Sequence, residues 1–236
     1  MRRLQILLIL FTVQISTSVA QTTINLPNRE TSIQRLIPDG WELLSSTEGD
    51  INRDGVMDIA FVIEKSDSAT TQSPGKLTVE NVERRPRILA VYVGNGNTSD
   101  YKKVLQSNHF ILQRTSPNMA EPFSELSIND AGKLEIVFSI WFTAGSWSRT
   151  NYIYGFKFCN NEFLLTNYQR TEVHRARGSV DITDINFQDK EIEIEKGHIS
   201  SDEPISVERK TFSLEKLQTL KSLQSPLEWE FLGMKI

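Results

Sequence analysis

Nine consecutive residues carry the chemistry most visible in this chain. They read Asp50-Ile51-Asn52-Arg53-Asp54-Gly55-Val56-Met57-Asp58. Oxygen-bearing side chains fall at alternate positions, Asp50, Asn52 and Asp54, and a further carboxylate follows at Asp58. Calcium is a hard cation that takes six to eight oxygens in a flexible shell. Gly55 permits the backbone dihedrals that fold such a loop back on its ion. Val56 then turns its main-chain carbonyl inward, and Asp58 closes the shell. Asp50, Asn52, Asp54, Val56 and Asp58 are therefore the predicted metal ligands, and Ca2+ is the predicted ion. Stabilising the fold, rather than catalysis, is the role this nearly full shell predicts.

The loop is not an EF-hand. That motif places a bidentate glutamate at position 12 and runs into a helix. Here position 12 is Phe61, inside an apolar run. The residues Gly49-Asp50, Asn52, Asp54-Gly55 and Asp58, followed by Ile59 to Ile63, resemble the calcium loop between strands in FG-GAP repeats, as in integrin propellers. The segment from Pro38 to Glu64 is also similar to the opening of small exported bacterial proteins that hold one such loop and have no assigned function. Gly145-Ser146, Tyr154 to Phe158 and Asn161 to Leu165 are similar to their later part. The resemblance implies an ion site. It does not bring the adhesive role with it, because a propeller needs about four to eight blades and the chain has no second copy of the loop. Asp181-Ile182-Thr183-Asp184 lacks the glycine and the later carboxylate.

Other chemistry is sparse. His109, His174 and His198 are the only histidines and lie far apart, without the spacing of a zinc site. Gly145-Ser146-Trp147-Ser148-Arg149 lacks the second glycine of a nucleophile elbow. No phosphate-binding loop or dinucleotide fingerprint is present. A triad assembled by folding stays open, since triads follow geometry rather than order. Cys159 is the one cysteine, so no intramolecular disulfide can form, and its place beside Asn160-Asn161 predicts a passive strand end. Glu83-Arg84-Arg85-Pro86-Arg87 reads as a solvated connection. Glu191, Glu193 and Glu195 read as the wet face of a strand whose charges discourage edge pairing. Trp141, Phe142, Trp147, Tyr152 and Tyr154 gather around Gly145 and read as core packing plus a loop tryptophan, with a glycan- or protein-binding groove as the alternative.

The elements that must position the loop are strands. Trp41 to Ser45 leads into it, and Asp58 to Glu64 leaves it, apolar on both faces and so a central strand with cover on each side. Arg87 to Val93 and Tyr101 to Gln106 flank the turn Gly94-Asn95-Gly96-Asn97. Three hairpins follow, Phe123–Ile128 with Lys133–Phe142, Asn151–Phe158 with Glu162–Tyr168, and Ser179–Phe187 with Glu191–Lys196. Ser32 to Leu36 suggests one helical turn before Pro38, and Ser66 to Gly75 a polar loop. Leu214, Leu217, Leu220 and Leu223 recur at helical spacing, with Ser213 as a candidate N-cap. The fold class is mainly β, an antiparallel meander forming a sandwich or partly open barrel with a short C-terminal helix.

The first residues point to export. Arg2 and Arg3 precede an apolar run from Leu4 to Val13, and Ser18-Val19-Ala20 offers a signal-peptidase site, with Gln21 as the predicted new N-terminus. The run is too short for a membrane anchor, which needs about 20 residues, and no cysteine near the cut allows lipidation. The divisions are thus 1–20 signal peptide and 21–236 one β-rich domain, secreted or periplasmic. The whole chain carries 26 Lys+Arg against 30 Asp+Glu, and removing Arg2 and Arg3 takes the net charge from −4 to −6. That balance argues against a nucleic-acid partner. The expectation is a non-enzymatic, calcium-binding protein of the cell envelope whose partner is a protein or glycan. An inhibitor or immunity protein against a toxin or lytic enzyme, and a hydrolase with an unrecognised site, are the alternatives.

Overall fold

The computed structural model describes residues 24–67, 69–72, 81–96, 98 and 100–236. The export segment over 1–20 lies outside them, as do Asn97 of the glycine turn and part of the 66–75 stretch. The chain opens with β1 (Arg29–Glu30) and the helical turn α1 (Ile33–Leu36), which follows Ser32 and stops before Pro38. β2 (Trp41–Gly49) and β3 (Asp58–Lys65) come next. β4 (Ala69–Gln72) and β5 (Asn81–Arg84) then pair antiparallel, so the expected polar loop carries a strand of its own. β6 (Arg87–Gly94) and β7 (Tyr101–Ser107) complete a five-stranded sheet in the order β1-β7-β6-β3-β2.

The second sheet is a seven-stranded meander. It runs through β8 (Phe123–Ile128), β9 (Lys133–Trp141), β10 (Ser148–Cys159), β11 (Glu162–His174), β12 (Ser179–Asn186), β13 (Glu191–His198) and β14 (Ser206–Thr211), each paired with the next. α2 (Leu220–Leu223) and the small hairpin β15 (Glu230–Phe231) and β16 (Met234–Lys235) end the chain. The molecule is mainly β, with antiparallel sheets that do not close into a barrel.

The continuous apolar run of β3 explains the layering. Ile59, Phe61 and Ile63 share one face, where they pack with Ile88, Ala90 and Tyr92 beneath Leu26 and Leu36 of the N-terminal segment. Phe61 stacks on Tyr92 at 5.8 Å, and the Tyr92 hydroxyl donates to the Pro27 carbonyl at 2.7 Å. Ala60 and Val62 face the other way. With Leu89 and Val91 they join the larger core, which holds Phe110, Leu134, Phe138, Tyr154 and Phe156. The first sheet is thus a middle layer covered on both sides, and burying each large apolar side chain stabilises the fold by about 1.5–3 kcal/mol.

Three expectations change on contact with the structure. Arg87 is not part of a solvated connection, being only 6% exposed. It sits opposite Glu64 in the β3–β6 register, donates to it through Nε at 2.8 Å, and forms a two-pronged pair with Glu121 at 2.6 and 2.8 Å. Its remaining reach goes to the Leu112 carbonyl at 2.7 Å. A buried guanidinium is tolerated because nearby acceptors replace water. β13 is not an edge either, because β14 pairs along its outer side from Lys196–Ser206 to Glu191–Thr211. The C-terminal leucines make only one helical turn. Thr219, not Ser213, caps it, accepting the Ser222 amide while the Ser222 hydroxyl takes the Thr219 amide, a reciprocal capping box. The residues after it fold back on the second sheet, where Trp229 and Phe231 pack with Phe187.

Candidate metal centre

The 50–58 loop joins β2 to β3 and crosses the end of the first sheet. Its oxygens are organised by the loop's own amides. Asp50 accepts from Asp54 N at 3.1 Å through Oδ1 and from Gly55 N at 2.9 Å through Oδ2. Asn52 Oδ1 also accepts from Asp54 N, at 3.0 Å, and Asp54 Oδ1 accepts from Val56 N at 2.8 Å. The Asn52 amide donates to Asp54 Oδ2 at 2.8 Å. These Asx-type bonds wrap the loop around Asp50, Asn52 and Asp54. Two positions adopt left-handed backbone, Arg53 at φ 60° and Gly55 at φ 84°. A Cβ at Gly55 would meet nothing within 4 Å, so the glycine is required for its dihedral and not for space.

Asp58 occupies a different place. It is fully buried at the start of β3. Its Oδ2 accepts from the amides of Ile51 at 2.8 Å and Asn52 at 3.3 Å, and its Oδ1 accepts from Gly94 N at 2.8 Å. Burial pushes its pKa above the ordinary aspartate range, and the Gly94, Ile51 and Asn52 amides pull the other way. The loop is pinned from below as well by Ile51, which is buried in the larger core.

Three residues outside the expected ligand set hold the loop in place. Arg53 reaches across to the second sheet and donates to the Ala131 carbonyl in the β8–β9 turn, through Nη2 at 2.6 Å and Nε at 3.2 Å. Gly132, at φ 69°, lets that turn approach, because a Cβ there would lie 2.7 Å from the Asp50 carbonyl oxygen. Gly94 does the same on the other side, where a Cβ would lie 2.4 Å from the Met57 carbonyl oxygen. Gly94 and Gly132 are visible in the sequence only as turn glycines, and nothing local links Arg53 to Ala131.

The donor set is all oxygen, as a hard cation requires. Asp50, Asn52 and Asp54 share one exposed turn with Val56. Each carboxylate oxygen has two lone-pair directions. Asp58 Oδ2 has both taken by amides, whereas Oδ1 keeps one. Among the described residues, no three His, Cys, Asp or Glu side chains converge as a ready metal cluster. The ion chemistry available here is therefore that of Asp50 and Asp54 with the Asn52 amide and main-chain oxygen, standing on Asp58.

The remaining singled-out residues scatter. Cys159 ends β10 and is exposed. Tyr154 is buried in the larger core, while Trp147 is 67% exposed at the β9–β10 turn. Asp184, Glu191, Glu193 and Glu195 line a groove of about 580 Å³ on the outer face of the second sheet. His198 Nδ1 contacts the Ser200 hydroxyl at 2.7 Å, but its Nε2 faces the Arg177 carbonyl at 3.0 Å rather than a carboxylate. No helix among the described residues is long and apolar enough to cross a membrane. No protein-family model matches the chain, and no curated protein or solved structure matches it either.

Proposed function

We propose that the chain is an exported, non-enzymatic binding protein of the cell envelope whose fold is stabilised by calcium at the 50–58 loop. The observation that carries the reading is the wrapped turn itself. Asp50, Asn52 and Asp54 gather their oxygens at one exposed bend, and that bend is tied to both sheets through Asp58–Gly94 and Arg53–Ala131. An ion held there tightens a junction on which two sheets depend, in a chain whose single cysteine allows no disulfide. Asp50 and Asp54 supply charge, Asn52 and Val56 supply neutral oxygens, and Asp58 holds the floor. The ion contributes charge neutralisation and cross-linking of the loop, not chemistry on a substrate.

Melting curves after chelation and after calcium return test this. A ligand that binds only the native state adds RT ln(1 + [L]/Kd) to stability, about 2.7 kcal/mol at a hundredfold excess over Kd. For a domain of this size that is a rise of about 5–11 °C. Magnesium raises the melting point less, because it demands a smaller octahedron. Asp54→Ala abolishes the rise and Glu48→Ala, just outside the loop, preserves it. Equal melting points with no bound ion by elemental analysis would remove the calcium reading. For the export part, intact mass of secreted material is expected to start at Gln21.

A further inference from the structure

We propose that the corner of the second sheet around Trp147 binds an anionic polysaccharide, with a sugar ring on the indole and its acidic groups on Arg149 and Arg175. The proposal rests on reading the chain as a binding protein and is independent of the calcium loop.

Three connecting segments meet at this corner, residues 114–119, 142–149 and 174–178. Thr143 N donates to the Asn118 carbonyl at 2.9 Å, and Arg175 N donates to the Trp147 carbonyl at 2.8 Å. The three segments carry Arg114, Arg149, Arg175 and Arg177 and no acidic residue, in a chain whose net charge is −4. Among the described residues, none of these four exposed arginines forms an ion pair with a carboxylate. A cationic patch on an acidic protein predicts an anionic partner by charge complementarity.

The turn that presents Trp147 is built to stay put. Arg175 lies over the Trp141 ring at 5.4 Å, and its Nη2 donates to the carbonyls of Ser146 at 2.6 Å and Phe142 at 3.3 Å. The Ser146 hydroxyl accepts the Ser148 amide at 3.1 Å. None of these ties uses the Trp147 side chain, which remains 67% exposed. Arg149 stands opposite Trp141 in the β9–β10 register and spends only Nε, on the Ser139 hydroxyl at 3.1 Å. A cleft of about 420 Å³ lies between the turn and Arg175, lined by Thr143, Ser146 and Trp147 among others. An exposed aromatic plate beside guanidinium groups that pair with no carboxylate suits a sugar that carries carboxylate or sulfate. A membrane surface suits the corner less well. Ile199, Ile205 and Val207, exposed apolar residues at the same end of the sheet, lie around Asp202, Glu203 and Glu208, which anionic lipid repels.

Isothermal titration of the full secreted chain with a heparin-derived hexasaccharide, in calcium and in chelator, tests the proposal. Neutral maltohexaose, poly-glutamate and phosphatidylglycerol vesicles serve as comparisons. The expected result is saturable binding of the hexasaccharide alone, under both conditions, weakening steeply as salt rises past the range in which surface charges are felt. Trp147→Ala and Arg149→Gln each weaken it about tenfold, the equivalent of about 1.4 kcal/mol, with circular dichroism unchanged. Absence of binding at low salt overturns the proposal, as does wild-type affinity in both variants. Binding to poly-glutamate or vesicles instead of the saccharide overturns it in favour of an acidic protein or a lipid surface. Binding only in calcium moves the site to the 50–58 loop. Failure of the saccharide with a normal calcium melting shift rejects this site and leaves the calcium reading standing.

Discussion

Asp58 Oδ1 accepts the main-chain amide of Gly94 at 2.8 Å, which ties the end of the 50–58 loop to the end of β6. The same carboxylate takes two further amides, so its removal strands three main-chain donors, one buried and two part-buried. Leaving a buried group unsatisfied costs about 1–3 kcal/mol, and some of the three will find water. Asp58→Ala is expected to lose about 3–5 kcal/mol even in chelator. Asp54→Ala, at an exposed position, is expected to be close to wild type in chelator and to differ only when calcium is added. Urea unfolding of both variants, with and without calcium, separates the structural carboxylate from the ion-facing one. Equal midpoints for the two variants in chelator would contradict the assignment.

Phe61 is fully buried and stacked on Tyr92 in the N-terminal layer. Phe61→Ala leaves a cavity beneath the N-terminal segment, at a cost of about 3–5 kcal/mol. Amide exchange should quicken first at Leu26 and Leu36, which share that cluster. A variant with the wild-type denaturant midpoint would refute the two-sided burial of β3.

The Arg87–Glu64 pair makes a prediction in two steps. Arg87→Met leaves Glu64, itself 8% exposed, without its main partner, and breaking a buried pair on one side costs about 3–5 kcal/mol. Arg87→Met with Glu64→Leu removes the stranded charge and should recover most of that loss, since apolar replacement of a whole buried pair is often neutral. A double variant no more stable than the single one would show that the lost contacts to Glu121 and Leu112, rather than the stranded Glu64, set the energetics.

How much was legible beforehand follows from how local each signal is. β3 and the three hairpins announced themselves because period-two patterning and turn residues act within a few residues of chain. Ile59, Phe61, Ile63, Leu89 and Val91, apolar residues of the two runs read as strands, are all buried. β14 went unseen because Ser206–Thr211 is exposed along its whole length, so no apolar alternation marks it. Arg87 was misjudged because the residues that neutralise it are 23 and 34 positions away. The loop's oxygen spacing was local and readable. Its attachment to Gly94, Ala131 and Gly132 depends on which turns the topology brings together, and spacing says nothing of that.

Alkali supplies a further test. Burial pushes the phenol pKa values of Tyr92, Tyr154 and Tyr168 well above the ordinary 10.0. Above pH 10 or so the unfolded chain then loses these protons before the native one does, so the native state binds more protons. Stability falls with rising pH wherever that holds. It is therefore fully present below the unfolded value and is lost as pH climbs toward the raised native values. Of the five tyrosines, these three should ionise only with unfolding. Absorbance at the phenolate band and circular dichroism, followed together through the alkaline range, should show their ionisation coinciding with loss of structure. Smooth titration of all five in a folded protein would rule out the packing described for them.

The last prediction concerns Arg53, the side chain of the 50–58 loop that hydrogen-bonds to the β8–β9 turn. Its paired bonds to the Ala131 carbonyl make the loop and the β8–β9 turn move together. Ordering the loop with an ion should therefore slow amide exchange not only within 50–58 but also in the 129–133 turn, where the Gly132 and Lys133 amides bond Asn129. Arg53→Ala keeps every expected ligand and should still bind calcium, because neither the guanidinium nor its partner supplies an oxygen to the ion. In that variant calcium should protect the loop while leaving exchange in the turn unchanged. Exchange measured by mass spectrometry on wild type and Arg53→Ala, each with calcium and with chelator, decides the matter. Protection of the turn that survives the substitution would mean the two sheets are coupled through Asp58 and the core beneath it, and that the Arg53 contact is incidental.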